Sequence, residues 1–154
     1  MEIKIVNKQH FDKTMLFYNL TDSNVESMKD ICFISINDSV GTSELPHFNM
    51  KHSNVLIQYF DDVEEEITVK NGITKVFDET QAKELIDFIN NNVEKELCII
   101  HCSAGISRSG AIGTFINDYV KNDYFKFKKD NPHIHPNQHV MRILNNYVRF
   151  NLLN

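Results

Sequence analysis

The sequence predicts an α/β fold, a small and mostly parallel central sheet flanked by helices. Three observations carry this prediction. Short runs rich in Ile, Val and Phe recur with the length and alternation of strands. Between them lie longer segments whose apolar residues fall at helical spacing. The two kinds of segment alternate along the chain, as they must when helices carry the crossovers between parallel strands. At 154 residues the chain is read as a single domain, 1–154, large enough to bury a proper core.

Glu2 to Val6 alternates, with Ile3 and Ile5 on one face, and reads as a first strand. Gln9 to Asn19 carries Phe11, Met15, Leu16 and Tyr18 at helical spacing and reads as a short helix. Asp30 to Ile36 is a second strand, ended by Asn37-Asp38. Residues 39–52, with Gly41, Pro46, His47 and His52, read as a long irregular connection, of a length that often carries function, to which the sequence assigns no role beyond a substrate contact. Asn54 to Phe60 is a third strand and leads into the acidic run Asp61-Asp62-Val63-Glu64-Glu65-Glu66.

Asp78 to Val93 carries Ala82, Leu85, Ile86, Ile89 and Val93 at a 3.6 period, with Asp78 or Thr80 at the N-cap. Residues 97–101 make the fourth strand, opening on the apolar run Leu97-Cys98-Ile99-Ile100. Arg108 to Val120 is a helix that must be mostly buried, given Ala111, Ile112, Phe115, Ile116 and Tyr119. Lys121 to Pro132 is a break or short helix. Asn137 to Phe150 closes the chain as an amphipathic helix through Val140, Ile143, Leu144, Tyr147 and Val148.

The net charge of −5 leaves no basic surplus for nucleic acid, yet a local nest of amides can bind phosphate on an acidic protein. Composition is ordinary for a globular chain, at 42% hydrophobic and 24% charged. No run approaches the roughly 18 apolar residues of a membrane span, and the first residues are too charged for a signal peptide. The three cysteines, Cys32, Cys98 and Cys102, form no disulfide framework, which points to a reducing compartment. The expectation is a cytoplasmic protein that needs no cofactor. Cys98 and Cys102 on one extended strand would stand about 13 Å apart at ~3.3 Å per residue. A disulfide allows about 7 Å between Cα atoms, so Cys98 reads as core. His133, His135 and His139 lack the spacing of a zinc site and read as loop and helix-start residues, with no metal expected.

The chemistry concentrates where the fourth strand ends. After His101-Cys102, the loop Ser103-Ala104-Gly105-Ile106-Ser107 leads to Arg108, Ser109 and Gly110 at a helix start. Amides of a loop that wraps before a helix N-terminus converge on an anion, and the helix dipole adds to their field. Gly105 permits the curvature. Arg108 offers a planar fork of donors for two phosphate oxygens. The same field favours negative sulfur, which makes Cys102 a nucleophile beneath a bound phosphoryl group.

This stretch resembles the His-Cys-x5-Arg-Ser/Thr signature of the cysteine-dependent protein tyrosine and dual-specificity phosphatases, met by His101, Cys102, Gly105, Arg108 and Ser109. Ala104 to Gly110 is similar to the "AGISRSG" form of the dual-specificity enzymes. The resemblance implies a dual-specificity-phosphatase-like fold and a phosphomonoester hydrolase, with protein phosphotyrosine the first substrate and phosphoserine or phosphothreonine a second. Phosphoinositides, RNA 5′-phosphates or a phosphate-binding module without turnover are the alternatives. Loop positions Ser103, Ala104, Ile106 and Ser107 lack the lysines common in lipid-directed members.

By the same resemblance, amides of Ser103 to Arg108 line the phosphate, Ser109 donates to the sulfur or caps the helix, and His101 supports the loop. A leaving alkoxide or phenoxide needs a proton, since tyrosine's phenol has a pKa of about 10. In these families an Asp after an upstream strand supplies it. Asp61-Asp62 stand there, and the match of Phe60-Asp61-Asp62-Val63 to small bacterial relatives favours Asp62. The Asn131-Pro132…Pro136-Asn137 stretch is similar to a turn that opens the last helix in those relatives.

Overall fold

In a computed structural model of the chain, residues 1–40 and 44–153 are described. The irregular connection expected over 39–52 therefore falls partly outside the described residues. The described residues form six strands and five α-helices: β1 (Glu2–Asn7), α1 (Lys8–Phe17), β2 (Ile31–Asn37), β3 (Val55–Tyr59), β4 (Thr68–Val69), β5 (Gly72–Ile73), α2 (Glu79–Asn92), β6 (Leu97–Cys102), α3 (Arg108–Tyr119), α4 (Tyr124–Asp130) and α5 (Gln138–Asn151). The two-residue strands β4 and β5 pair antiparallel as a small hairpin in the acidic arm. The sequence reading did not anticipate it, because no apolar alternation marks so short a pair.

The central sheet has the order β1-β6-β2-β3, and every pairing in it is parallel. Strand β6 lies between β1 and β2, so the chain reverses its order of strand addition there. Open parallel sheets bind ligands at such points, outside the carboxyl ends of the strands. The register stacks Asn7 beside Cys102, Ser35 beside His101 and Asn37 beside Tyr59. All four strands therefore end on one edge of the sheet.

Alternation along the strands divides the core in two. Cys98, Ile100 and Cys102 of β6, with Cys32, Ile34 and Ile36 of β2, face the larger core built by α2, α3, α4 and α5. Phe33 and Ile99 face the opposite way, into a smaller core with Phe11, Met15, Leu20, Val25 and Phe48. Successive residues thus send Cys102 toward α3 and His101 toward α1. The predicted stripe of α1 is narrower than expected: Phe11 and Met15 are buried, whereas Leu16 and Tyr18 are exposed. Val93 caps α2 from outside the helix and is also exposed. Asp78 does cap α2, in a capping box with Gln81.

Cys98 is fully buried, as its place in the apolar run implied. Its neighbour is Cys32 across the parallel ladder, and all three cysteines are free thiols. The hydrogen bond with Cys32 and burial both raise the Cys98 thiol well above its ordinary range. Cys98 is therefore held protonated, and Cys102 lies at the far end of the strand.

Candidate active site

Cys102 ends β6, and the loop Ser103 to Ser107 carries the chain directly into α3. Three loop carbonyls are turned outward. The Ser103 oxygen accepts from the Lys8 amide at 3.1 Å, the Ile106 oxygen from His135 at 3.0 Å and the Ser107 oxygen from Asn137 at 3.0 Å. The amides of Ser103 to Arg108 make no hydrogen bond to protein among the described residues. Outward carbonyls and unused inward amides are what an anion nest requires. The 12-residue helix α3 begins at its rim and adds its dipole.

Gly105 makes the curvature possible, with φ of +70°. It is also pressed against the end of β1. A Cβ there would lie 2.5 Å from the Val6 carbonyl carbon and 2.6 Å from the Asn7 nitrogen. Backbone is on both sides of that contact, so neither partner can turn away.

The Cys102 sulfur lies 3.0 Å from the Ser109 hydroxyl, and both residues are buried. Ser109 does not cap the helix. The N-cap position belongs to Ser107, whose hydroxyl makes no capping bond and instead donates to Asp62 Oδ1 at 2.7 Å. Arg108 is 5% exposed. Its Nη1 donates to Asp38 Oδ1 at 2.6 Å and to the Phe60 carbonyl at 2.8 Å. One nitrogen takes both anchors, and the Nε–Nη2 edge has no protein acceptor among the described residues. That edge is the bidentate face a phosphoryl group needs.

The two neighbouring aspartates are in opposite situations. Asp61 is buried, and its carboxylate accepts from the Ser39 amide at 2.9 Å, the Lys75 amide at 2.7 Å and the Ser39 hydroxyl. Burial alone would push its carboxyl up. The Ser39 hydroxyl, the Lys75 and Ser39 amides and the Arg108 guanidinium outweigh burial and hold it below the usual carboxylate range. Asp62 is exposed, and its Oδ1 accepts from Ser107 Oγ at 2.7 Å and from Asn137 Nδ2 at 2.9 Å. Both donors meet the same oxygen, and Oδ2 has no protein partner among the described residues.

His101 is fully buried beside Phe11, with ring centroids 4.3 Å apart. Its Nδ1 lies 3.2 Å from the Cys102 carbonyl oxygen and its Nε2 lies 2.7 Å from Ser35 Oγ. A carbonyl only accepts, so Nδ1 carries the proton and Nε2 accepts from Ser35. Asn37 Nδ2 in turn donates to Ser35 Oγ at 3.1 Å. Burial dominates and pushes the imidazole down to about 4, against the hydrogen bond to the Cys102 carbonyl.

This has a measurable sign. Between the unfolded value of 6.5 and the folded value of about 4, the unfolded chain binds more protons, so stability falls as pH falls. The full shift corresponds to about 3 kcal/mol at ~1.36 kcal/mol per unit. Chemical denaturation of wild type and His101→Gln at about pH 7 and about pH 4.5 should show their stability gap narrowing by roughly 2–3 kcal/mol at the lower pH. Equal gaps at the two pH values would show that His101 is not buried in its neutral form.

Asp38, Ser39 and Ser35 were missed by the sequence reading, which used Asn37-Asp38 only to end a strand. The signal that would have found them is position: they sit at the carboxyl end of the strand beside β6, where ligands bind in such sheets. Asn137 was noted only as part of a turn. It caps α5 through Oδ1, holds Asp62 through Nδ2 and holds the loop after Cys102 through its backbone amide, which donates to the Ser107 carbonyl. Of the three histidines set aside as metal ligands, His139 is buried, bonding the Phe77 carbonyl at 2.8 Å and Arg142 at 2.9 Å.

A parallel sheet whose cysteine-bearing strand feeds an amide nest, an arginine and a buried helix is the fold of the cysteine-dependent tyrosine and dual-specificity phosphatases. The chain is similar to PTPMT1, solved in complex with PI(5)P, with a TM-score of 0.52 and 15% identity over 96% of this chain and 90% of that one. It is also similar to the Cydia pomonella PTP-2 phosphatase, with a TM-score of 0.51 and 16% identity over 95% of this chain and 85% of that one. No protein-family model matches the sequence, and the curated proteins contain no significant match.

Proposed function

We propose that this chain hydrolyses phosphomonoesters through a cysteinyl-phosphate intermediate, with protein phosphotyrosine as the substrate and phosphoserine or phosphothreonine accepted as well. The observation that carries the reading is the arrangement around Cys102. Its sulfur lies 3.0 Å from the Ser109 hydroxyl, beneath a loop with outward carbonyls and beside an arginine whose Nε–Nη2 edge has no acceptor among the described residues.

The Cys102 sulfur attacks phosphorus while the amides of Ser103 to Arg108 and the free edge of Arg108 hold the equatorial oxygens. Asp62 protonates the departing oxygen. With Ser107 and Asn137 both donating to Oδ1, the proton resides on Oδ2, the oxygen without a protein partner among the described residues. In the second half of the cycle the ionised Asp62 takes a proton from water, which attacks phosphorus. The sulfur leaves as a thiolate, stabilised by the Ser109 hydroxyl. His101 fixes the Cys102 carbonyl and keeps the loop's entry rigid.

Two features favour a protein substrate over a polyanionic lipid. The four loop positions between Cys102 and Arg108 other than Gly105 are uncharged. Lys8 and Lys75, whose backbone amides bond the Ser103 carbonyl and the Asp61 carboxylate, have their ammonium groups paired with Asp12 at 2.7 Å and Asp78 at 3.0 Å. Among the described residues no helix is long and apolar enough to cross a membrane.

The test is phosphate release, in the absence of added metal, from an aryl phosphate, a phosphotyrosine peptide and a short-chain phosphatidylinositol phosphate. Release from the first two, well above that from the lipid, is the expected result. Faster release from the lipid would replace the substrate class and leave the chemistry in place. Phosphate binding with no release from any of them would make the chain a binding module.

A further inference from the structure

The reaction cycle proposed above uses Asp62 and leaves its neighbour without a part, although Asp61 is the more deeply held of the two. Its place in the chain is unusual. The residue before it, Phe60, gives its carbonyl to Arg108 Nη1, and the residue after it, Asp62, reaches Ser107 and Asn137. Its own carboxylate binds Ser39, whose chain neighbour Asp38 is the other anchor of Arg108 Nη1. The Lys75 amide, at the far foot of the hairpin arm, donates to the same carboxylate, and the Asp61 amide donates back to the Lys75 carbonyl at 2.8 Å.

We infer that Asp61 is a positioning residue that sets the arginine anchor and the acid arm in register with each other, an inference that rests on the phosphatase reading. The loop after β2 and the arm after β3 are the two segments that flank the phosphate nest from the carboxyl ends of adjacent strands. Each supplies one ligand to Arg108 Nη1. Each is also tied to the Asp61 carboxylate, the first through Ser39 and the second through its own backbone and Lys75. Displacement of either segment would turn the Nε–Nη2 edge away from the phosphate oxygens and move Asp62 off the rim together.

Asp61 is not itself built to donate a proton. Oδ1 accepts from the Ser39 amide, and Oδ2 accepts from both the Ser39 hydroxyl and the Lys75 amide. Three donors converge on the two oxygens, the arrangement of an ionised carboxylate. The carboxylate is only 7% exposed as part of its residue, so a leaving group has no path to it. Its ionised state is what organises the two loops.

The experiment compares Asp61→Ala and Ser39→Ala with wild type in two measurements. The first is the affinity for inorganic phosphate by calorimetry, which needs no turnover. The second is kcat across a series of aryl phosphates of rising leaving-group pKa. Misplaced reacting groups lose on the order of 10²-fold in rate for shifts of about 1 Å. Asp61→Ala should therefore weaken phosphate binding about tenfold and steepen the dependence of kcat on leaving-group pKa. Ser39→Ala removes one of the carboxylate's partners from an exposed position and should move both readings the same way by a smaller factor.

A loss of stability without displacement of the site would leave both readings at wild-type values in the folded fraction, and that result would overturn the inference. A steeper leaving-group dependence with intact phosphate affinity would make Asp61 the acid and overturn it equally. If Asp61→Ala does not fold, Ser39→Ala decides on its own. If wild type binds phosphate but hydrolyses none of the esters, the phosphatase reading fails while the affinity measurement still decides the role of Asp61.

Discussion

Cys102→Ser should reduce turnover of any phosphomonoester by about 10⁴-fold or more while leaving phosphate affinity intact. The variant changes one atom. The outward carbonyls of Ser103, Ile106 and Ser107 stay bonded to Lys8, His135 and Asn137, and Arg108 stays on Asp38 and the Phe60 carbonyl. The nest and its field therefore survive. What disappears is the sulfur that bonds to phosphorus, and a serine hydroxyl in its place is a far weaker nucleophile. Every group that holds the phosphate stays in place, so binding should be unchanged. Calorimetry with inorganic phosphate, alongside phosphate release from an aryl phosphate, checks both halves. Residual turnover within tenfold of wild type would mean that water attacks phosphorus directly and that no cysteinyl-phosphate forms.

Asp62→Ala should lower kcat by about 10²–10⁴-fold on esters with poor leaving groups, and by far less as the leaving group becomes more acidic. The reason is the balance of charge at the departing oxygen. An alkoxide or the phenoxide of tyrosine, with a phenol pKa of about 10, cannot leave at neutral pH without a proton, whereas an acidic phenol can. Phosphate affinity should not change, because among the described residues the Asp62 carboxylate meets the loop only at the Ser107 hydroxyl, its other partner being Asn137 Nδ2. This separates the variant from Asp61→Ala, which is expected to alter both. A uniform loss across all leaving groups would count against Asp62 as the acid.

The aspartate pair shows where sequence reading stops. Asp61 and Asp62 are chemically identical, adjacent, and equally placed after a strand. The chain turns tightly at Asp62, where the Val63 amide donates to the Asp61 carbonyl at 2.9 Å. One therefore goes into the crevice between two loops and the other toward the phosphate nest. Which is which depends on Ser39, 22 residues earlier, and on Asn137, 75 residues later. The same holds for Arg108. That it would face the loop was readable from its place after Cys102. That Asp38, 70 residues upstream, would hold one of its nitrogens was not.

Ser109 makes the converse point. Two roles were open to it from sequence, a helix cap or a partner for sulfur, and one turn of geometry separates them. The helix begins at Arg108, which puts Ser107 at the cap and turns Ser109 inward to the sulfur at 3.0 Å. The narrow face of α1 has a similar origin. Leu16 and Tyr18 fit the helical period, but the smaller core ends at Met15 and leaves them exposed.

The sequence by itself determined the order of the four central strands and their helices, the strand–loop–helix unit at residues 97–119, the requirement for glycine at 105 and the placement of Cys102 and Arg108 at the two ends of one loop. Those properties reside in contiguous residues, where backbone preference and side-chain period act locally. Tertiary structure alone decided which aspartate is buried, what anchors Arg108, and how Ser35, Ser39 and Asn137 enter the site. The physical reason is the parallel register, which stacks Asn7, Cys102, Asn37 and Tyr59 at one edge of the sheet. Chain segments remote in sequence then share one crevice, and their hydrogen-bond donors and acceptors choose partners by position.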